Sequence, residues 1–347
     1  MSTWKELYRK SLTGTEEIAS AFDLDSTKTK EVLDRYPALI NDYYRQLCIR
    51  AGDPLIRQVV PDPEEISHIN QNLPEDPIGE ETYSPVPNLT HRYRDRVLFL
   101  VSDRCPVYCR FCTRKRKVGR TLTVTPATLS DGFRYIGKNS QIRDILLSGG
   151  DPLMLENDEI NHILEKLNNI AHVEIVRIGT RVPAALPQRI TPELISILSN
   201  MTPLYIHTHF NHPAEITKDT KMACQLLAEA GIPLSSQTVL LGGINDDLDI
   251  LERLFRELLK MRVRPYYLFQ ADMVRGVEHF RTSLLRGLDI MKELHLRTSP
   301  MAVPRFVVDL PGGAGKVFPS FNCLFNTGRH DQFFQTPDGV QISYPDP

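Results

Sequence analysis

The sequence predicts an α/β fold whose parallel sheet is either doubly wound or curved into a barrel or part of one. Three observations predict it. From about residue 96 onward, short apolar and β-branched runs alternate with amphipathic helical stretches. The runs read as buried parallel strands, with few of the alternating polar positions of a half-exposed sheet. Polar or cysteine-bearing segments follow the runs at their C-terminal ends, where folds of this class gather their sites. The chain divides accordingly into a helical extension over 1–90, a strand-helix repeat over 91–300 and a C-terminal segment over 301–347.

The extension carries helical pieces such as TKTKEVLDRY, joined by the Pro-rich connections VVPDPEE, NLPEDPIGEE and YSPVPNL, and is expected to wrap on the sheet. Six strands follow in RVLFLVS, IRDILLS, VEIVRIG, PLYIHTHF, PLSSQTVLL and RPYYLFQ, with PRFVVDL as a later seventh. The clearest helix covers 246–262, where Leu251, Leu254, Phe255, Leu258 and Leu259 share one face and Glu252, Arg253, Arg256 and Lys260 the other. Repeated strand-helix units imply right-handed crossovers. Residues 311–347 are rich in Gly and Pro, and predict ordered coil with a short strand near VQISY.

With 347 residues, 41% hydrophobic and 24% charged, the chain has the length and composition of a globular protein with a sizeable core. No apolar run approaches the roughly 20 residues of a membrane span. The N-terminal MSTWKELYRK lacks the apolar centre of a secretory signal, so a cytoplasmic location is expected. A formal charge of -2 offers no general attraction to nucleic acid or to an anionic membrane, and only RKRK at 114–117 forms a local basic patch. Cys48, Cys224 and Cys323 are scattered and read as buried thiols, which leaves one cluster.

That cluster is CPVYCRFC at 105–112, which sets Cys105, Cys109 and Cys112 at C-x3-C-x2-C after the first strand. Soft thiolates at short spacing select zinc or an iron-sulfur cluster. A structural zinc site needs four ligands, and no second cysteine or histidine pair completes one, so zinc is the weaker reading. A cubane on three cysteines leaves one iron open to substrate chemistry. SGGD at 148–151 follows the second strand, where missing side chains admit a close backbone approach. In VVDLPGGAGKVF, Lys316 stands behind a glycine-rich loop. A nucleotide phosphate loop is disfavoured, because Val317 follows the lysine and no helical pattern continues. A solvated turn lysine and a Schiff-base lysine for pyridoxal phosphate both remain open on the residues alone.

With Phe111 before its third cysteine and a βα repeat behind it, the cysteine motif resembles the signature of the radical S-adenosylmethionine superfamily. The resemblance implies a partial (β/α)6 barrel and a 4Fe-4S cluster on Cys105, Cys109 and Cys112. It also implies S-adenosylmethionine on the unique iron, cleaved reductively to a 5'-deoxyadenosyl radical. Ser148, Gly149, Gly150 and Asp151 are similar to the family's glycine-rich motif for the methionine amine, and Phe111, His209 and Gln237 match positions near this cofactor.

Seven segments between about 85 and 345 together resemble the lysine 2,3-aminomutase family, isomerases that use pyridoxal phosphate: PVPNLTHRYRDRVLFLVSDRCPVYCRFCTRKRK, LLSGGDPL, HVEIVRIGTRVP, THFNHPAEIT, RVRPYYLFQAD, GVEHFRT and FVVDLPGGAGK. The resemblance implies that Lys316 carries pyridoxal phosphate covalently and that Arg92 and Arg96 hold its phosphate. Arg114 matches the residue that pairs with the substrate carboxylate, and Asp272 and Asp309 match the pair that holds the ε-ammonium of lysine. It further implies a flavodoxin- or ferredoxin-like reductant and a homo-oligomer. Longer members continue into a cysteine-rich zinc-binding tail, which is not expected here; Phe269 replaces a usual tyrosine, and GGAG a GGGG. Two rivals are an aminomutase for arginine, ornithine or glutamate, and a radical enzyme that modifies RNA or protein and docks through RKRK.

Overall fold

In the computed structural model of the chain, residues 3–67, 73–120, 123–201, 203–320, 324–326, 331–335 and 339–345 are described. Short helices from Trp4–Arg9 to Glu64–Ser67 precede the sheet. One sheet then runs in chain order through β1 (Leu89–Tyr93), β2 (Arg96–Ser102), β3 (Asp144–Gly149), β4 (Ile175–Thr180), β5 (Leu204–His209), β6 (Leu234–Leu240), β7 (Val263–Gln270), β8 (Arg305–Leu310) and β9 (Gly315–Val317). Strands β2 to β8 pair in parallel, and β1 and β9 close the two edges in antiparallel pairing. The sheet curls into a partial barrel. Its edges come so near one another that a Cβ on Gly315 of β9 would lie 2.8 Å from Nη2 of Arg92 on β1.

All seven expected parallel strands form, because each strand buries one face under helices and turns the other to a lumen. In β6, Leu234, Ser236, Thr238 and Leu240 are buried, while Ser235, Gln237 and Val239 alternate with them in partial exposure. Strand β1 lies in a stretch read as a connector, since LTHRY is polar at most positions and gives no apolar signal. The C-terminal segment holds more strand than expected. Besides β12 (Gln341–Pro345) at the expected VQISY, β10 (Leu324–Asn326) and β11 (Asp331–Gln335) complete a separate antiparallel sheet. Such short strands leave little period to read. Cys48 and Cys224 are fully buried, and Cys323 lies outside the described residues.

The extension packs on the barrel as expected. Ile18, Tyr44, Leu47, Leu55 and Val59 join the core that contains Val97, Phe99, Ile145 and Val176 of the strands. The helix Leu248–Lys260 forms within the expected span. Asp247 caps it, accepting from the backbone N–H of Asp249 at 2.9 Å and of Ile250 at 3.1 Å. Leu251, Leu254, Phe255 and Leu258 are buried against the strands, and Leu259 is half-buried. Phe255→Ala should cost about 3–5 kcal/mol of unfolding free energy through the cavity it leaves. Arg256→Ala, on the exposed face, should stay within about 0.5 kcal/mol. Denaturant unfolding of the two variants checks the contrast.

Candidate active site

The cysteine loop leaves the C-terminal end of β2 and is gripped from outside by the extension. Tyr108 N donates to Leu39 O at 2.9 Å, Arg110 N to Gln58 O at 2.8 Å, and Asn41 Nδ2 to Pro106 O at 2.8 Å. Beneath it, the buried Arg110 donates from Nε and Nη2 to the two oxygens of Glu65, at 2.8 and 2.6 Å. Lys115 Nζ reaches the same carboxylate at 2.5 Å. Burial first, and the neighbouring cysteine charges next, push the Cys105 thiol well up and Cys112 to about 11. Thiols crowded together in this way suit a cationic centre that binds them as thiolates. Among the described residues no three His, Cys, Asp or Glu side chains are grouped for a single metal ion.

The turn after β3 lies directly against this loop. Gly149 has φ 141°, and a Cβ there would stand 2.2 Å from Ser102 O; one on Gly150 would stand 2.3 Å from Arg104 O. Only glycine permits so close an approach of two backbones. Asp151 is buried and its carboxylate is engaged within the protein. It accepts from Leu153 N at 3.0 Å, Thr180 Oγ1 at 2.8 Å and Arg181 N at 2.6 Å, and burial pushes it up to about 6. It ties the end of β3 to the end of β4. Phe111 is also buried, stacked on His209 at 5.5 Å between ring centroids. His209, bonded to Asn211 Oδ1 at 3.0 Å, is pushed down to about 4 by burial and then by Arg181, so it is neutral at pH 7.

A cavity of about 620 Å³ opens in the barrel. Its lining includes Arg92, Arg96, Arg114, Ser148, Gln237, Asp309 and Lys316. Lys316 sits on β9 opposite Asp309 of β8, with Nζ 2.5 Å from Oδ2 and 4.7 Å from the centroid of the Phe269 ring. Arg92 lies over the rings of Tyr83 and Tyr93, at 5.6 and 5.0 Å, and no carboxylate pairs with it among the described residues. An amine and a guanidinium without an anionic partner, facing one cavity, fit an aldehyde cofactor that carries a phosphate. Asp272 follows β7 outside the cavity wall. Burial, and next the charge of Asp309, push its carboxyl up to about 7, while Lys316 and Arg281 pull the other way. The cysteines, Phe111, Gly149, Gly150, Asp151 and His209 stand apart from this cavity, on the loop side of the barrel mouth. A groove of about 530 Å³ between the helices Pro126–Lys138 and Asn157–Asn168 holds none of the expected site residues.

The basic run at 114–117 is not a free patch. Arg114 pairs with Glu80 at 2.5 Å, Arg116 with Asp76 at 3.3 Å, Glu80 at 3.4 Å and Glu81 at 3.2 Å, and Lys117 with Glu81 at 3.8 Å. Glu80 is 2% exposed; burial raises its carboxyl, but Arg114 and then Arg116 bring it below the usual range. Held this way, Arg114 keeps Nη1 within 3.4 Å of Ser148 Oγ and Gly149 O. Sequence reasoning assigned no role to Glu65, Glu80, Arg181 and Glu215, although Arg181 and Glu215 lie within HVEIVRIGTRVP and THFNHPAEIT. The available signal was charge balance, with paired glutamates at 64–65 and 80–81 matching the basic run.

Comparison with known proteins bears on the same residues. Residues 99–254 match the radical SAM superfamily, and 291–347 match lysine-2,3-aminomutase. The chain is 44% identical to the L-lysine 2,3-aminomutase of Fusobacterium nucleatum, covering 99% of this chain and 82% of that protein. It is 43% identical to the L-lysine 2,3-aminomutase of Acetoanaerobium sticklandii, covering 99% and 84%. A glutamate 2,3-aminomutase of Clostridioides difficile is 42% identical over 91% of this chain and 75% of that protein. With the curled parallel sheet, the thiol trio at its mouth and identity of this extent, the chain belongs to the lysine 2,3-aminomutase family of the radical S-adenosylmethionine superfamily.

Proposed function

We propose that this chain is an isomerase that moves the 2-amino group of L-lysine to carbon 3, giving β-lysine (3,6-diaminohexanoate), with a 4Fe-4S cluster, S-adenosylmethionine and pyridoxal phosphate as cofactors. One observation carries the choice of substrate: two carboxylates, Asp272 and Asp309, repel one another beside Lys316. A terminal ammonium placed between them relieves the repulsion that helps hold Asp272 near 7. A glutamate side chain would add a third anion, which speaks against the reaction named for the Clostridioides difficile relative. At the other end, Arg114 is aimed by Glu80 and offers Nη1 to the α-carboxylate. When bound, the cofactors supply a carbon radical and a π-system over which it spreads.

The residues of the chain hold, orient and enclose. Phe269 and Asp309 hold the amine of Lys316, and Arg92 and Arg96, which line the same cavity, would take the phosphate. His209, neutral at pH 7, brings no positive charge to the mouth of the barrel. The cluster calls for an external one-electron donor of the flavodoxin or ferredoxin kind, and a homo-oligomer in a thiol-reducing cytoplasm fits the same reading. No described helix is long and apolar enough to cross a membrane. Modification of RNA is disfavoured, since the basic run is already matched by acids.

Anaerobic incubation of the reconstituted protein with lysine, arginine, ornithine and glutamate, followed by chromatography, should yield a β-isomer from lysine; conversion of glutamate instead would reject the reading. Lys316→Ala should abolish turnover and the pyridoxal absorbance of the reconstituted protein while its iron content stays unchanged. As pH rises through about 7, Asp272 ionises and the pair gains attraction for an ammonium group, so the KM for lysine should fall. In Asp272→Asn that fall should disappear and KM should rise about tenfold or more, the equivalent of ~1.4 kcal/mol.

A further inference from the structure

We propose that Arg181 sets the reduction potential of the cluster, through a charge-assisted N–H···S hydrogen bond to Cys109. The proposal rests on reading Cys105, Cys109 and Cys112 as cluster ligands. Arg181 follows the last residue of β4, and its Nη1 lies 2.7 Å from Cys109 Sγ. Its Nη2 is bolted in place by Glu215 Oε1 at 2.9 Å, Gln58 Oε1 at 2.6 Å and Tyr44 OH at 3.0 Å. The guanidinium also lies over the rings of Phe111 and Tyr44, at 5.2 and 5.4 Å. It is 6% exposed.

A purely structural role would be to neutralise the buried Glu215 and pin the extension to the barrel. That role uses Nη2 alone. Nη1 points instead at the sulfur, and Nε has no partner, so the fork is oriented by the thiol and not by a second carboxylate. Glu215 is fully buried and accepts from Asn211 N at 2.6 Å and His212 N at 2.9 Å, so it holds the arginine without needing Cys109.

The redox consequence follows from charge. One electron from an external one-electron donor takes the cluster from its 2+ to its 1+ core and makes it one unit more negative, with no bond broken. A fixed cation and a donated N–H at one of its sulfurs stabilise the reduced form most, and hydrogen bonds to cluster sulfurs are a recognised control on such potentials. In a site closed to water the effect is weakly screened. Arg181 therefore raises the potential and eases reduction.

Removing Arg181 alone would leave Glu215 an unpaired buried anion. The test therefore compares wild type, Glu215→Gln and the double variant Arg181→Met with Glu215→Gln. Reconstituted proteins are titrated with dithionite and mediators and read by electron paramagnetic resonance. The midpoint of Glu215→Gln should lie above wild type, and that of the double variant below both. Coincident midpoints for the double variant and Glu215→Gln overturn the proposal. Should the variants fail to load iron, the unmodified chain decides. With guanidino-15N arginine incorporated, the reduced cluster should show a nitrogen hyperfine coupling, and absence of that coupling overturns the contact. A wild type that binds no cluster at all would instead defeat the assignment of the three cysteines.

Discussion

Charge compensation between the segment before the sheet and the loop after its second strand is the interaction on which the site depends. Arg110, Arg114, Lys115 and Arg116 crowd beneath the thiol trio, and a buried cation without a partner costs several kcal/mol. Glu65 answers Arg110 and Lys115, and Glu80 answers Arg114 and Arg116. The pressure is visible on Lys115, which burial pulls down to about 8 even with Glu65 opposing it. Without those two glutamates the loop could not lie flat over the barrel end, and its sulfurs would have no fixed position.

The segment that carries Glu80 also reaches the loop before Lys316. Gly312 N donates to Pro77 O at 3.0 Å, and Gly79 lies against the backbone of Gly312. His91 N, on β1, donates to Tyr83 O at 2.8 Å. Residues 77–83 thus tie together three parts: Arg114 through Glu80, the first edge strand with Arg92, and the turn before Lys316. The proposed reaction would need substrate and cofactors held in register, so a shift of about 1 Å between these parts would be felt in rate. The strap fixes their spacing.

What could be read from the sequence divides along physical lines. Strands β2 to β8 were legible, because a face packed under helices and a face turned to the barrel interior together favour apolar runs such as RVLFLVS and IRDILLS. The cysteine spacing and the glycine pair were legible for the same reason: one chemistry or one backbone conformation demands them. Strand β1 was not, since an edge strand beside polar arginines needs no apolar run. The motif groups Asp151 with the methionine amine, and its bonds to Thr180 and Arg181 are a second task that no motif announces. The pairings of Glu65, Glu80, Arg181 and Glu215 were not legible, because an ion pair is a property of two distant positions and the sequence does not say which cation meets which acid.

The meeting of Gly315 with Arg92 marks a seam, since β1 and β9 share no ladder in the strand order. A fully closed cylinder could admit a molecule through its side only by breaking interstrand hydrogen bonds, each group then being left unsatisfied. Here that side is shut by side chains and a loop turn. Lateral traffic of a flat vitamin or a small amino acid through this gap would leave the parallel ladders intact, so the rigid scaffold and the doorway are separate pieces of the same wall.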